Sequence, residues 1–316
     1  MEIIYILKDS LESGLIWSLL ALGVFISFRL LDFADLTAEG SIVLGSSLSA
    51  LFVLQRTLVL SNPFISLFIA FLGGVIAGVV TAFLHTKLKI PGILAGIISM
   101  TGLYSINLLV MGKPSLYLGD LKTIYFPLEF FFTNIIIVKN LEIKMFLTKF
   151  LTNLIINSFV FISVYWFFGT ELGMAIRATG NNRQMAKTQG INTNKMIIIG
   201  LGIANGLIAL AGALYAQSYK TSNMDIGRGI IVIGLASIIL GEALFKRATF
   251  KQWLFAVLIG SILFQILIGV AISLGFSPNN LKLLQAILIA LVLANPVIKT
   301  TLMKIKDKRS KKYANS

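Results

Sequence analysis

Long apolar runs alternate with short polar or basic stretches along the whole chain. Nine of these runs predict membrane-spanning helices, at about 11–31, 36–55, 63–85, 92–112, 149–169, 195–217, 229–246, 251–273 and 281–298. Each approaches the roughly 20 residues that a helix needs to cross the hydrocarbon layer of a bilayer. Within the runs apolar and polar positions do not alternate, so a membrane β-barrel is excluded. Residues 113–148 break the rhythm, mixing aromatic with charged residues. They read as a lid or an interfacial helix. The predicted fold class is an all-α polytopic membrane protein with nine transmembrane helices in two inverted repeats.

The repeat is read from two stretches. "DLTAEGSIVLGSSLSALF" (Asp35–Phe52) resembles "DIGRGIIVIGLASIILGEALF" (Asp225–Phe245), allowing small gaps. Each has a polar, acid-bearing start followed by a Gly-rich apolar run. After each come two further runs, with Pro91 and Pro278 just before the second. The chain therefore divides into repeat one (about 11–112), a connector (about 113–169), a polar segment (171–195), repeat two (about 195–298) and a basic tail (299–316). Gly-interrupted spans at matched positions of opposed halves point to a transporter; close packing of small residues is the plainer reading of the same glycines.

Composition agrees with this pattern. Of 316 residues 57% are hydrophobic and 13% charged, against about a quarter charged in soluble domains. Net charge is +14. The basic residues sit between and after the spans, so they read as topology signals rather than a nucleic-acid surface. Seventeen of the 27 Lys and Arg fall on the side that holds 171–195 and the tail. That bias predicts a cytoplasmic C-terminus and an N-terminus outside. Cysteine is absent, which excludes disulfides and thiol chemistry. His85 stands alone and reads as structural. No cluster has metal-ligand spacing, and no nucleophile–base set is found.

"ELGMAIRATGNNRQMAKTQGINTNK" (Glu171–Lys195) is the one compact, basic, helix-capable island between two spans. "GMAIRAT" and "NNRQMAKTQGI" predict two short helices. Ala175, Ala178, Met185, Ala186 and Ile191 form their apolar side, and Arg177, Arg183 and Lys187 their wet side. Asn181 or Asn182 is the predicted N-cap, and Gly190 the C-terminal stop.

The island resembles the cytoplasmic coupling segment of ABC-importer permeases of the branched-chain amino-acid and ribose type. That family's pattern falls on Gly173, Ala175, Arg177, Ala178, Asn182, Ala186, Gly190 and Ile191. Arg183 stands where many relatives carry Pro. "GLGIANGLIALAGALYAQ" and "VIGLASIILGEALF" also resemble the family's runs, so the likeness covers nearly the whole chain. It implies a permease of the bacterial inner membrane, paired as a homodimer or with a closely related permease. It implies an ABC ATPase subunit as partner, contacted through Arg177, Ala178, Asn182, Arg183, Met185, Ala186, Lys187, Gly190 and Ile191. An extracellular substrate-binding protein would deliver the cargo, an amino acid by this resemblance. ATP and Mg would be bound by the ATPase; this chain carries no cofactor and is not an enzyme. Consistently, no Gly-x-x-x-x-Gly-Lys-Ser/Thr loop occurs.

Polar residues inside spans are costly and face protein or water. Glu39, Asn107, Asn205, Ser237 and Glu242 are the candidate pathway residues. Glu242 has a plainer reading, an ion pair with Lys246 one turn on. Nucleoside or sugar cargo, and a proton- or ion-coupled carrier using Glu39 or Glu242, stand as alternatives.

Overall fold

A computed structural model describes residues 2–55, 62–134, 140–245 and 249–275, with isolated positions between 283 and 290. It is almost wholly helical. The elements are α1 (Glu2–Val24) with a π-helical turn (Phe25–Leu30), α2 (Ala38–Leu54), α3 (Pro63–Thr86), α4 (Gly92–Met111), β1 (Ser115–Tyr117), α5 (Phe126–Asn134) and α6 (Leu141–Gly169). Then follow α7 (Glu171–Asn181), α8 (Arg183–Thr188), α9 (Thr193–Tyr219), β2 (Thr221–Asn223), a 3-10 turn (Met224–Gly227), α10 (Ile230–Leu244) and α11 (Phe250–Ser273). Among the described residues six helices are long and apolar enough to cross a membrane; α2 and α10 are shorter apolar helices.

Local chemistry sets the ends. Pro63 opens α3 behind Asn62, whose side chain accepts from the Phe64 N–H at 3.0 Å. Gly112 closes α4 in the left-handed region, at φ 67°. Asn140 caps α6 by accepting from the Glu142 N–H at 3.0 Å. That cap moves the start of α6 well before the predicted 149. The segment 113–148 thus divides into β1, α5 and the first turns of α6. β1 pairs antiparallel with β2, Leu116 opposite Ser222.

α1 also begins earlier than predicted. In its first turns Tyr5 donates to Glu142 of α6 at 2.9 Å, and further on Glu12 pairs with Lys149 of α6 at 3.8 Å. The ninth predicted helix lies largely outside the described residues, and the basic tail wholly so.

α9 forms the centre of the bundle, against α1, α2 and α3, while α11 covers α1 and α10. Small residues bring the backbones together. A Cβ on Gly45 would meet the Ala209 carbonyl, and one on Gly212 the Ile42 carbonyl. Dispersion and shape, not water exclusion, hold such contacts in lipid.

Candidate functional site

The polar island folds as two short helices. Thr170, in extended backbone, caps α7, its hydroxyl accepting from the Gly173 N–H at 3.4 Å. Asn182 turns the chain at φ −155° and caps α8 by accepting from the Met185 N–H at 3.0 Å. Gly190 ends the segment at φ 80°, a conformation that carries a Cβ penalty for other residues. Its N–H donates to the Lys187 carbonyl, and the Ile191 N–H to that of Ala186. Asn192 then caps α9 through the Lys195 N–H. The Asn182 cap and the Gly190 stop are therefore as predicted, although Arg183 follows the cap.

The faces differ from expectation. Ile176, Thr179 and Ala186 are the buried side, and Gly180 lies so close to the end of α1 that a Cβ would meet the Leu30 carbonyl. Met185, on the predicted apolar side, is 61% exposed. With only six residues, α8 shows one narrow face to the bundle, and Met185, about 100° round from Ala186, points away. Ala178 is exposed as well. Leu172 and Met174 are half exposed and extend this apolar surface. Arg177 and Arg183 are not on a free wet side. The Arg177 guanidinium lies 4.6 Å from the centre of the Phe250 ring. Arg183 donates to Asn194 Oδ1 at 3.0 Å and meets His85 Nε2 at 3.2 Å. His85 Nδ1 in turn faces the Ile90 carbonyl at 2.8 Å, so the ring bridges the α3 end to α8. Lys187 remains exposed, and Ile191 is partly buried.

The pathway candidates occupy three places. Asn205, at the middle of α9, is fully buried. Its amide donates to Asp35 Oδ2 at 2.6 Å, and its Oδ1 accepts from the Ser41 hydroxyl at 2.6 Å. Asp35 Oδ1 accepts the Thr37 N–H, and the Thr37 and Thr81 hydroxyls share a hydrogen bond at 2.7 Å. This network ties α2, α3 and α9 together. Ser237 is buried and donates to the Ile233 carbonyl one turn back. Glu242 pairs with Arg29 of the π-helical turn at 2.6 Å; its expected partner Lys246 lies outside the described residues. It also accepts from Trp253 Nε1 at 2.9 Å.

Glu39 and Asn107 sit together. They line a cavity of about 300 Å³ between α2, α4 and the approach to α10, with Thr101, Tyr104 and Arg228. Glu39 Oε1 accepts from the Gly229 N–H at 3.0 Å. Asn107 donates to the Gly40 carbonyl at 3.1 Å.

Residues 6–293 match the family described as branched-chain amino acid transport system, permease component. The chain belongs to this family of ABC-importer permeases. The permease is 38% identical over 306 residues to the tyrosine transport system permease protein of Clostridioides difficile (strain R20291), covering 94% of each chain. It is 27% identical to the guanosine permease NupQ of Bacillus subtilis (strain 168), over 77% of this chain and 78% of that one. An uncharacterised protein of Rickettsia prowazekii (strain Madrid E) is 31% identical over 92% of the permease and 97% of its own length. No solved structure matches. The permease is thus a multi-pass membrane component of an importer. The partners Asp35, Ser41 and Arg29 were not singled out from sequence as holding Asn205 and Glu242. A buried acid with no basic residue nearby in sequence was the available signal for Asp35.

Proposed function

We propose that the permease forms the membrane path of an ATP-driven importer for an amino acid, as a homodimer or with a close relative. Its α7–α8 segment, through the residues named above from Arg177 to Ile191, receives a separate ATPase subunit that binds ATP and Mg. An extracellular binding protein delivers the cargo. The observation that carries this reading is the apolar surface of Leu172, Met174 and Met185 on a segment capped at both ends. Such a rigid knob with exposed apolar residues suits a protein groove better than water. The tyrosine permease supports amino-acid cargo; the guanosine permease favours a nucleoside as the second reading.

The excess of Lys and Arg supports a cytoplasmic α7–α8 and C-terminus, with the N-terminus outside. The packing supports inverted repeats. Exchange of α1 with α9 and of α3 with α11 turns the α3–α9 pair into the α11–α1 pair, and these are the two most extensive contacts. Gly45 abuts α9 as Gly234 abuts Val24 of α1.

Met185→Glu tests the docking assignment without touching the packed Ala186 face. ATPase association should weaken about tenfold, or about 1.4 kcal/mol, with the melting temperature unchanged. Unaltered association together with normal ATP-dependent L-tyrosine uptake in proteoliposomes would remove α7–α8 from the interface.

A further inference from the structure

We propose that the cavity between α2, α4 and the start of α10 is a transit subsite that grips both charged ends of a free α-amino acid. This rests on the amino-acid reading above and adds the residues that would recognise the cargo inside the permease.

α2 and α10 begin deep in the bundle rather than at its ends. Asp35 and Ser41 bond Asn205, halfway along α9. Chain 31–37 reaches that depth from the end where Leu30 meets Gly180. Chain 220–229 reaches it from the other end, where β2 pairs with β1. The two helix starts meet where Glu39 accepts the Gly229 N–H. Discontinuous helices of this kind place partial positive charge where an anionic group of cargo can sit.

The second observation is Asn107. It lines the cavity, is 1% exposed, uses its amide nitrogen on Gly40, and has a buried Oδ1 without a hydrogen-bond partner. A buried acceptor of this sort calls for a donor. An ammonium group supplies one, and the Glu39 carboxylate in the same lining supplies the opposite charge. Arg228, with an exposed side chain, lines the same cavity and pairs with Asp225 at 3.1 Å. Its guanidinium can fork onto a carboxylate. Carboxylate and amide oxygen against guanidinium and helix starts match a zwitterion, and match a neutral nucleoside or sugar poorly. Met100 and Met224 complete the lining with polarisable side chains suited to an aromatic or branched residue. A volume of about 300 Å³ is at the lower end of small-ligand sites, about 300–1,000 Å³.

The chain has no cysteine, so Thr101→Cys places a single thiol in the cavity. The permease is assembled with its ATPase and binding protein in proteoliposomes. ATP-driven uptake of L-tyrosine is measured first, then the rate of maleimide labelling with L-tyrosine, tyramine, 3-(4-hydroxyphenyl)propionate or guanosine present. L-tyrosine at twice its dissociation constant should slow labelling about threefold. The two analogues, each lacking one charge, and guanosine should not. Arg228→Gln or Asn107→Leu should abolish the protection. Met224→Cys serves as a second reporter should Thr101→Cys fail to assemble. Uptake of L-tyrosine with no protection of either thiol overturns the subsite and leaves the importer reading standing. Equal protection by tyramine or guanosine overturns it too. Uptake of guanosine but not of L-tyrosine removes the amino-acid reading and the subsite together.

Discussion

The α7–α8 segment and the meeting point of α2 with α10 both interrupt an apolar chain with polar residues, yet they are built in opposite ways. In α7–α8 the groups that shape the backbone serve neighbours in sequence: Thr170 caps Gly173, Asn182 caps Met185, and Gly190 turns the chain. At the α2–α10 meeting point the partners are far apart in sequence: Asp35 with Asn205, and Glu39 with Gly229. The first is a self-contained shape that can be pressed as a unit. The second holds together only while the surrounding helices are assembled.

The contrast is broken most readily at Asn205. Asn205→Leu leaves the Asp35 carboxylate and the Ser41 hydroxyl without their partner in the core. It should cost about 3–5 kcal/mol, seen as a large drop in the melting temperature of the purified permease. A melt that does not move would show that the network is not structural. Glu242→Gln keeps the size but removes the charge facing Arg29. Because Arg29 is 38% exposed, the loss should be smaller, about 1–2 kcal/mol, with Arg29→Gln giving a similar and non-additive loss. Additive effects would separate the two residues. Asn182→Ala should cost about 1 kcal/mol. The effect should stay local, as faster amide exchange over 183–188 with the melt of α9 unaltered. Exchange that rises equally in α9 would end the view of α7–α8 as a separate unit.

The same contrast explains what was legible in the sequence. Hydrophobic runs marked the helices from α2 to α4 and from α9 to α11 to within a few residues, because apolar length and caps are local properties. Asn182 and Gly190 were legible for the same reason. The packed and exposed sides of α8 were not, because six residues carry too little periodicity to orient Met185 against Ala186. The Arg29 partner of Glu242 was not legible, because it lies 213 residues away in sequence. That α2 and α10 start in mid-bundle was hidden as well. Residues 36–55 and 229–246 read as full spans, since composition does not record where a helix begins relative to its neighbours.

Three contacts of the π-helical turn and its surroundings converge at one end of the bundle. Gly180 touches Leu30, Arg177 covers Phe250, and Arg29 grips Glu242. Glu242 is the foot of α10, a rod of about 22 Å by its 15 residues, and the head of that rod abuts Glu39. On the coupling proposed above, a stroke delivered to α7 would reach the cavity at the far tip through this rod.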